Sequence, residues 1–216
     1  MTTRLETLVA AIQNHDLDRL EAKLREDPAL VNTTTADGMS PLAIAIYWRN
    51  SVAQDALLAA GAAYPAPLAA ARGDVARLTA LAASDPGSLA EWSPDGWTPL
   101  HLAAHFGHAA ACLFLLCHGA DPKTRSRNGL ANLPCHAAAA GNHTAVVALL
   151  LAAGTPPHER QHGGWTALHQ AAQHANREMV DMPLAAGADK SATNDEARRA
   201  VDLVPPGEDV LRALLA

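Results

Sequence analysis

The sequence predicts an all-α solenoid of stacked helix pairs with projecting hairpin loops, and three observations carry that prediction. Of the 216 residues, 49 % are apolar but only 4 % are aromatic. Alanine dominates the apolar share; it is the best helix former, and the residues that fill strands are scarce, which excludes a β sandwich or barrel. A segment beginning Asp95-Gly-Trp-Thr-Pro-Leu-His-Leu-Ala-Ala recurs at Gly164-Trp-Thr-Ala-Leu-His, at Leu133-Pro-Cys-His and, more weakly, at Asp37-Gly-Met-Ser-Pro-Leu. Each copy leads to a leucine-rich stretch closed by Gly61, Gly119, Gly154 or Gly187, with steps of 35 residues from Gly119 to Gly154 and 33 from Gly154 to Gly187. Self-similarity at such a period is the mark of a repeat architecture.

Each unit reads as a short helix, a tight turn, a second helix and an extended loop. In the best-formed copy, Thr98 caps the first helix and Pro99 takes its first position, where a missing N–H costs nothing. Ala103 and Ala104 give a small face for close packing, and Gly107 supplies the left-handed turn that ends the helix. Leu113, Leu115 and Leu116 form the apolar stripe of the second helix, and Gly119 ends it. A longer echo joins Asp16, Asp27-Pro and Asp37-Gly to Asp74, Asp85-Pro and Asp95-Gly, each 58 residues on. One helix pair has too little core to stand alone; stacked pairs bury a continuous one.

The run Asp-Gly-x-Thr-Pro-Leu-His-x-Ala-Ala-x-x-Gly-His followed by Leu-Leu-x-x-Gly-Ala-Asp resembles the ankyrin repeat family over nearly the whole chain. On that resemblance a single domain spans 4–216, with units near 4–36, 37–62, 63–94, 95–129, 130–162, 163–195 and 196–216, the outer two acting as caps. Departures from the pattern carry their own expectations. Arg49 stands where a helix-ending glycine is expected, at about 1 kcal/mol if left-handed. Pro65-Ala-Pro67-Leu should shorten the first helix of its unit. Two extra residues precede Leu133. Pro183 lies inside a second helix, where an interior proline costs roughly 3 kcal/mol and kinks or breaks the helix.

Composition narrows the function classes. The net charge of −6 and pI near 6.0 offer no basic stripe for nucleic acid. The densest basic stretch, Lys123, Arg125 and Arg127, reads as a solvated hairpin tip. No run is long and apolar enough to span a membrane, and Glu6 within a short N-terminal segment argues against a signal peptide, so a cytoplasmic protein is expected. Cys112, Cys117 and Cys135 form no C-x-x-C pair and read as buried, inert thiols. His101 and His105 stand i,i+4, but residue 102 is Leu rather than the Glu a zinc protease would need, and no further ligands stand at metal-binding spacing. His158 and His162 share a loop without obvious partners. No nucleophile motif or phosphate-binding loop appears, so neither catalysis nor a cofactor is expected. The resemblance implies instead that His101, His136 and His169, together with His108 and His143, knit successive repeats by hydrogen bonds.

The aromatic residues suggest a binding surface. Trp97 and Trp165 share one hairpin position, with Met39 and Asn132 as equivalents. Trp48, Phe106 and His174 share another at the end of the first helix, preceded by Tyr47, His105 and Gln173; Arg72 completes the set. In the family these positions line the hairpin tips and concave groove, so a ladder of anchors for a partner protein is expected, in a scaffold, adaptor or inhibitor that is not an enzyme. The rival reading of the tryptophans is packing between hairpins. A regulatory subunit or host-directed effector acting on a partner enzyme is an alternative, and small-molecule or metal binding in a His-rich groove a weaker one.

Overall fold

The structure, a computed structural model, describes residues 3–216. Six helix pairs follow one another: α1 (Arg4–Gln13) with α2 (Leu17–Glu26), α3 (Pro41–Tyr47) with α4 (Ser51–Ala59), α5 (Ala66–Arg72) with α6 (Val75–Ser84), α7 (Pro99–Phe106) with α8 (Ala109–Cys117), α9 (Pro134–Ala140) with α10 (Thr144–Ala152), and α11 (Ala167–Gln173) with α12 (Arg177–Ala185). A 3₁₀ turn, Ala200–Leu203, and α13 (Asp209–Leu215) close the stack. Among the described residues there is no strand, only the isolated antiparallel bridge Thr193–Arg199. The architecture is an all-α repeat solenoid.

Each pair turns through one left-handed residue, yet the six positions hold His15, Arg49, Gly73, Gly107, Asn142 and Ala175. Arg49 takes φ 52°, so this side chain accepts a conformation costing about 1–2 kcal/mol without glycine. Gly107 is required for a second reason: a Cβ there would collide with Nδ1 of His143, whose ring crosses from the next pair. The outer helices α4, α8, α10 and α12 end in a left-handed glycine, and the residue after it donates its N–H back into the last turn. By contrast α2 and α6 run into Asp27-Pro and Asp85-Pro, which open the 3₁₀ turns Pro28–Asn32 and Pro86–Ala90. The 58-residue echo is therefore a repeat of two pairs, each copy opening on an aspartate-capped outer helix.

Hairpin fingers precede α3, α7, α9 and α11 and the terminal 3₁₀ turn. Each closes on a backbone hydrogen bond: Thr35 to Met39, Ser93 to Trp97, Ser126 to Asn132, Gln161 to Trp165 and Asn194 to Arg198. The bond in the third finger spans six residues where the others span four, so the two extra residues lie in that tip. No finger precedes α5. There Asn32 fastens a short loop, donating to the Gly61 carbonyl at 3.2 Å and accepting the Ala63 N–H at 2.7 Å.

The departures resolve physically. Pro65 keeps an extended backbone and α5 starts at Ala66, one residue later than the alignment of its glycine turn with Gly107 implies. Pro183 neither breaks nor ends α12, which runs on to Ala185; the proline lies in the last turn with its ring buried, so only the bond it would have donated is lost. Two expectations for α8 need correction. Leu113 is 52 % exposed and Cys117 is exposed, because residues four apart share a helix face and this one points outward. Ala111, Cys112 and Leu115 form the inward stripe.

The core falls into two clusters. Leu8, Ile12, Leu20, Leu42 and Leu57 anchor the first, under α1–α4, while Leu78, Leu100, Leu115, Leu150, Leu168 and Val180 anchor the second. They run side by side from α5 to α9: Leu68 and Ala71 of α5, Leu102 of α7 and Ala137 of α9 join the first, while Ala66, Ala69 and Ala70 of α5 join the second. Each fully buried leucine contributes about 1.5–3 kcal/mol.

Candidate concave interface

The recurring histidines are structural, and their bonding shows how. In His101, Nδ1 lies 2.8 Å from Thr98 Oγ1 within its own helix cap, and Nε2 lies 3.1 Å from the Asn132 carbonyl of the following finger. A carbonyl only accepts, so Nε2 carries the proton, and because Nδ1 accepts the Thr98 N–H the ring is neutral. His169 repeats this with Thr166 and the Arg198 carbonyl, and His136 accepts the Leu133 N–H while donating to the Glu159 carbonyl at 2.8 Å. Burial pushes the His101 pKa down to about 4 and lowers those of His136 and His169. His108, His143 and His174 point the other way, donating from Nε2 to Ala71, His105 and Ala140 carbonyls of the preceding pair. Both ring nitrogens of His101 are thus engaged, and among the described residues no group of three or more His, Cys, Asp or Glu side chains is placed to hold a metal ion. Burial raises the thiols of Cys112 and Cys135 to about 12, leaving them protonated.

The residues expected at the interface divide into two groups along the inner face. In the first, Phe106 stands edge-on to Tyr47 at 5.5 Å and to His105 at 5.0 Å, and His105 stands edge-on to Trp97 at 5.0 Å. Tyr47 spans an entire helix pair to reach Phe106, because the intervening α5 presents only Ala71 there. Its hydroxyl donates to the Asp95 carboxylate, and burial with that neighbouring charge raises the phenol pKa, which keeps the donor proton in place. Arg49 lies over the Phe106 ring at 5.8 Å, and Arg72 pairs with Asp55 of α4. Trp48, by contrast, is 51 % exposed and free of this cluster. Met39 is half-buried on the first finger.

The second group gathers at α11. Trp165, Gln173 and His174 line a groove of about 380 Å³ together with Gln161, His162, Ala140 and Gln170.

Two expected contact residues are closed to a partner. Asn132 is only 3 % exposed, held by Ser126 and by its own carbonyl bond to His101. Trp97 is 8 % exposed because its finger folds onto His101 and His105. Nor do the tryptophans form a ladder: Asn132 separates the Trp97 and Trp165 fingers, and Arg72 separates Trp48 from Phe106 in the repeat order. Three further residues of the face carry weaker sequence signals. Asp95 and Arg49 are recognisable only from their distant partners. Gln170 is a glutamine where the aligned positions hold Ile44, Leu68, Leu102 and Ala137.

Several polar atoms of this face are buried without a hydrogen-bond partner: Trp97 Nε1, His105 Nδ1, Asn132 Oδ1 and Gln170 Oε1.

Comparison with known proteins accords with the geometry. The family described as ankyrin repeats (3 copies) matches residues 8–126, and ankyrin repeats (many copies) match residues 135–182. The chain is 46 % identical over 52 residues to the NAD-capped RNA hydrolase NUDT12 of Homo sapiens, covering 24 % of this chain and 11 % of that protein. It is 47 % identical over 60 residues to zygote-specific protein 3 of Chlamydomonas reinhardtii, covering 28 % and 16 %. With ankyrin repeat domain-containing protein 13C of Danio rerio it shares 38 % identity over 71 residues, covering 33 % and 14 %. The chain thus spans under a fifth of the length of these relatives, and the likeness is one of repeats rather than of whole proteins. With the helix pairs, the histidine-bridged fingers and a match over more than half its length, the chain belongs to the ankyrin repeat family.

Proposed function

We propose that this chain is a non-catalytic protein-interaction module, a scaffold, adaptor or inhibitor, that receives a partner protein along its concave face and finger tips. Ankyrin repeats are in general protein-interaction modules, and no helix among the described residues is long and apolar enough to cross a membrane. The observation that carries the reading is the pair of buried polar atoms on the inner helices, His105 Nδ1 and Gln170 Oε1, that have no hydrogen-bond partner within the chain. Leaving a buried donor or acceptor unsatisfied costs about 1–3 kcal/mol, and a partner supplying the missing bonds recovers part of that cost. Trp48 adds a large exposed anchor, of the residue type that dominates interface energetics.

A photo-reactive residue placed at Trp48, at Gln173 and, as an outer-face comparison, at Leu113 tests this in the native lysate. The reading expects one partner protein crosslinked from positions 48 and 173 and none from 113. Crosslinking from 113 alone, or none from either inner position, overturns it.

A further inference from the structure

Gln170 is the anomaly of the inner face. Its counterparts are aliphatic, yet here a carboxamide sits in the wall of the α11 groove, its residue 6 % exposed and its Oε1 without a hydrogen-bond partner. An aliphatic side chain would fill the position at no electrostatic cost, and Leu68 and Leu102 do so in their own pairs. The amide therefore returns nothing to the fold for the burial of its oxygen.

The surroundings indicate what would satisfy it. Ala140 leaves room on the α9 side, where the aligned residues of α3, α7 and α11 are Tyr47, His105 and Gln173. Trp165 walls one side with a half-buried indole, and Gln161 and Gln173 add two more carboxamides; no Asp, Glu, Lys or Arg lines the groove. His174 is committed to the Ala140 carbonyl and steadies that wall at 3.0 Å. Apart from the exposed His162, a carboxylate entering this space would meet no cationic side chain, whereas an aliphatic group would leave the amide unpaired.

We propose that this groove takes an asparagine or glutamine side chain of the partner protein, its carboxamide pairing with Gln170 and its methylene stem lying on Trp165. A carboxamide carries donor and acceptor together, so after a rotation of the Gln170 amide it satisfies both of that group's functions at once. The inference rests on the interaction-module reading and names the partner chemistry at one of its subsites.

The experiment uses the full chain labelled with ¹⁵N and three probes: the N-acetyl methylamides of glutamine, glutamate and norleucine. The glutamine probe is expected to shift the Trp165 indole and Gln170 side-chain N–H signals saturably, with at least fivefold weaker response to the other two. Gln170→Leu and Gln170→Ala should abolish that response. Gln170→Leu should also melt at or above the wild-type temperature, since it restores the side chain its counterparts carry. Equal response to all three probes, no response to glutamine, a response that survives Gln170→Leu, or a Gln170→Leu melt lowered by several degrees each overturns the proposal. None of these outcomes alters crosslinking from Trp48, so failure here is distinguishable from failure of the broader reading.

Discussion

The stack from α5 onward and the two helix pairs before it are built from the same repeat but joined differently. In the later part each finger is tied to the preceding one through the backbone. Arg127 donates to the Gly96 carbonyl at 2.8 Å, His162 to Leu130 at 2.9 Å and Asp195 to Gly163 at 2.9 Å. The residue aligned with Arg127, His162 and Asp195 in the finger before α7 is Pro94, which has no N–H to give. It packs instead on Gly38 of the first finger, where a Cβ would come within 3.1 Å of the proline ring. Helix packing follows the same division, since α5 lies far more closely on α7 than on α3. What crosses the junction is side chain: Tyr47 to Asp95, Arg72 to Asp55, and Asn32 to the 61–63 loop. A repeat protein is a sum of unit stabilities and neighbour terms, and here one neighbour term has a different chemistry.

The largest expected effect separates the two regions by acid. His101, His136 and His169 are buried and neutral after α5, whereas the matching positions in the earlier pairs and in α5 hold Ala43 and Pro67. A histidine whose folded pKa is lowered contributes stability that is complete above its unfolded pKa, near 6.5, and is lost as the pH falls toward the folded value. For His101 that window runs from about 6.5 to about 4, and the loss is on the order of 3 kcal/mol. The carboxylates of Asp37, Asp189 and Asp202 have lowered pKa values and titrate below this window. Urea unfolding at pH 7.5 and 4.5, followed by residue-resolved NMR, should show α7–α12 losing stability over this interval while α1–α4 hold theirs. A parallel loss in both regions would mean that the junction transmits unfolding as strongly as any other neighbour contact.

A pair of glycine substitutions sharpens the comparison at the fingers themselves. Gly38 and Gly96 are aligned and both left-handed, with φ of 83° and 77°. A Cβ on Gly96 would meet the Arg127 backbone carbon at 2.9 Å, where nothing yields, whereas one on Gly38 meets Pro94 Cβ at 3.1 Å, a contact relieved by a shift of a few tenths of an ångström. Gly96→Ala should therefore cost about 2–3 kcal/mol, the left-handed penalty plus disruption of a finger bond, and Gly38→Ala about 1–2 kcal/mol. At this chain length each kcal/mol lowers the melting temperature by about 2–4 °C. Equal shifts would show the two finger junctions to be mechanically alike.

Much of this division was legible in the sequence, and the rest was hidden for definite reasons. The 58-residue echo marked the two-pair module, and the residues before Leu133 marked the longer finger, because period and caps are local properties of the chain. The different chemistry of the junction was not visible, since Pro94 is an ordinary turn residue until the bonds made at its aligned positions are known. The tryptophans illustrate the same limit. Trp97 and Trp48 both stand at positions that line the groove in the family, yet Trp97 is 8 % exposed and Trp48 51 %, because the first is roofed by its own finger and by His105. Tyr47 and Asp95 lie 48 residues apart, and only the small Ala71 of the intervening pair lets them meet.

That tyrosine gives the smallest predicted effect and the most direct test of how the junction is held. Tyr47→Phe keeps the ring edge-on to Phe106 and deletes only the hydroxyl that donates to Asp95. A hydrogen bond to a charged acceptor contributes about 1.5–3 kcal/mol when fully buried, and this one is half-buried, so about 1 kcal/mol is expected. Asp95 also accepts from Ser93 within its finger, so the single substitution Asp95→Asn mixes two effects, and a double-mutant cycle with Tyr47→Phe isolates the tie. A coupling near 1 kcal/mol, with amide protection falling in α1–α4 but not in α7–α12, would place the strength of this junction in its side chains. A coupling within about 0.3 kcal/mol of zero would mean instead that the apolar contact of α3 on α5 holds the two regions together, with the Tyr47–Asp95 bond merely accompanying it.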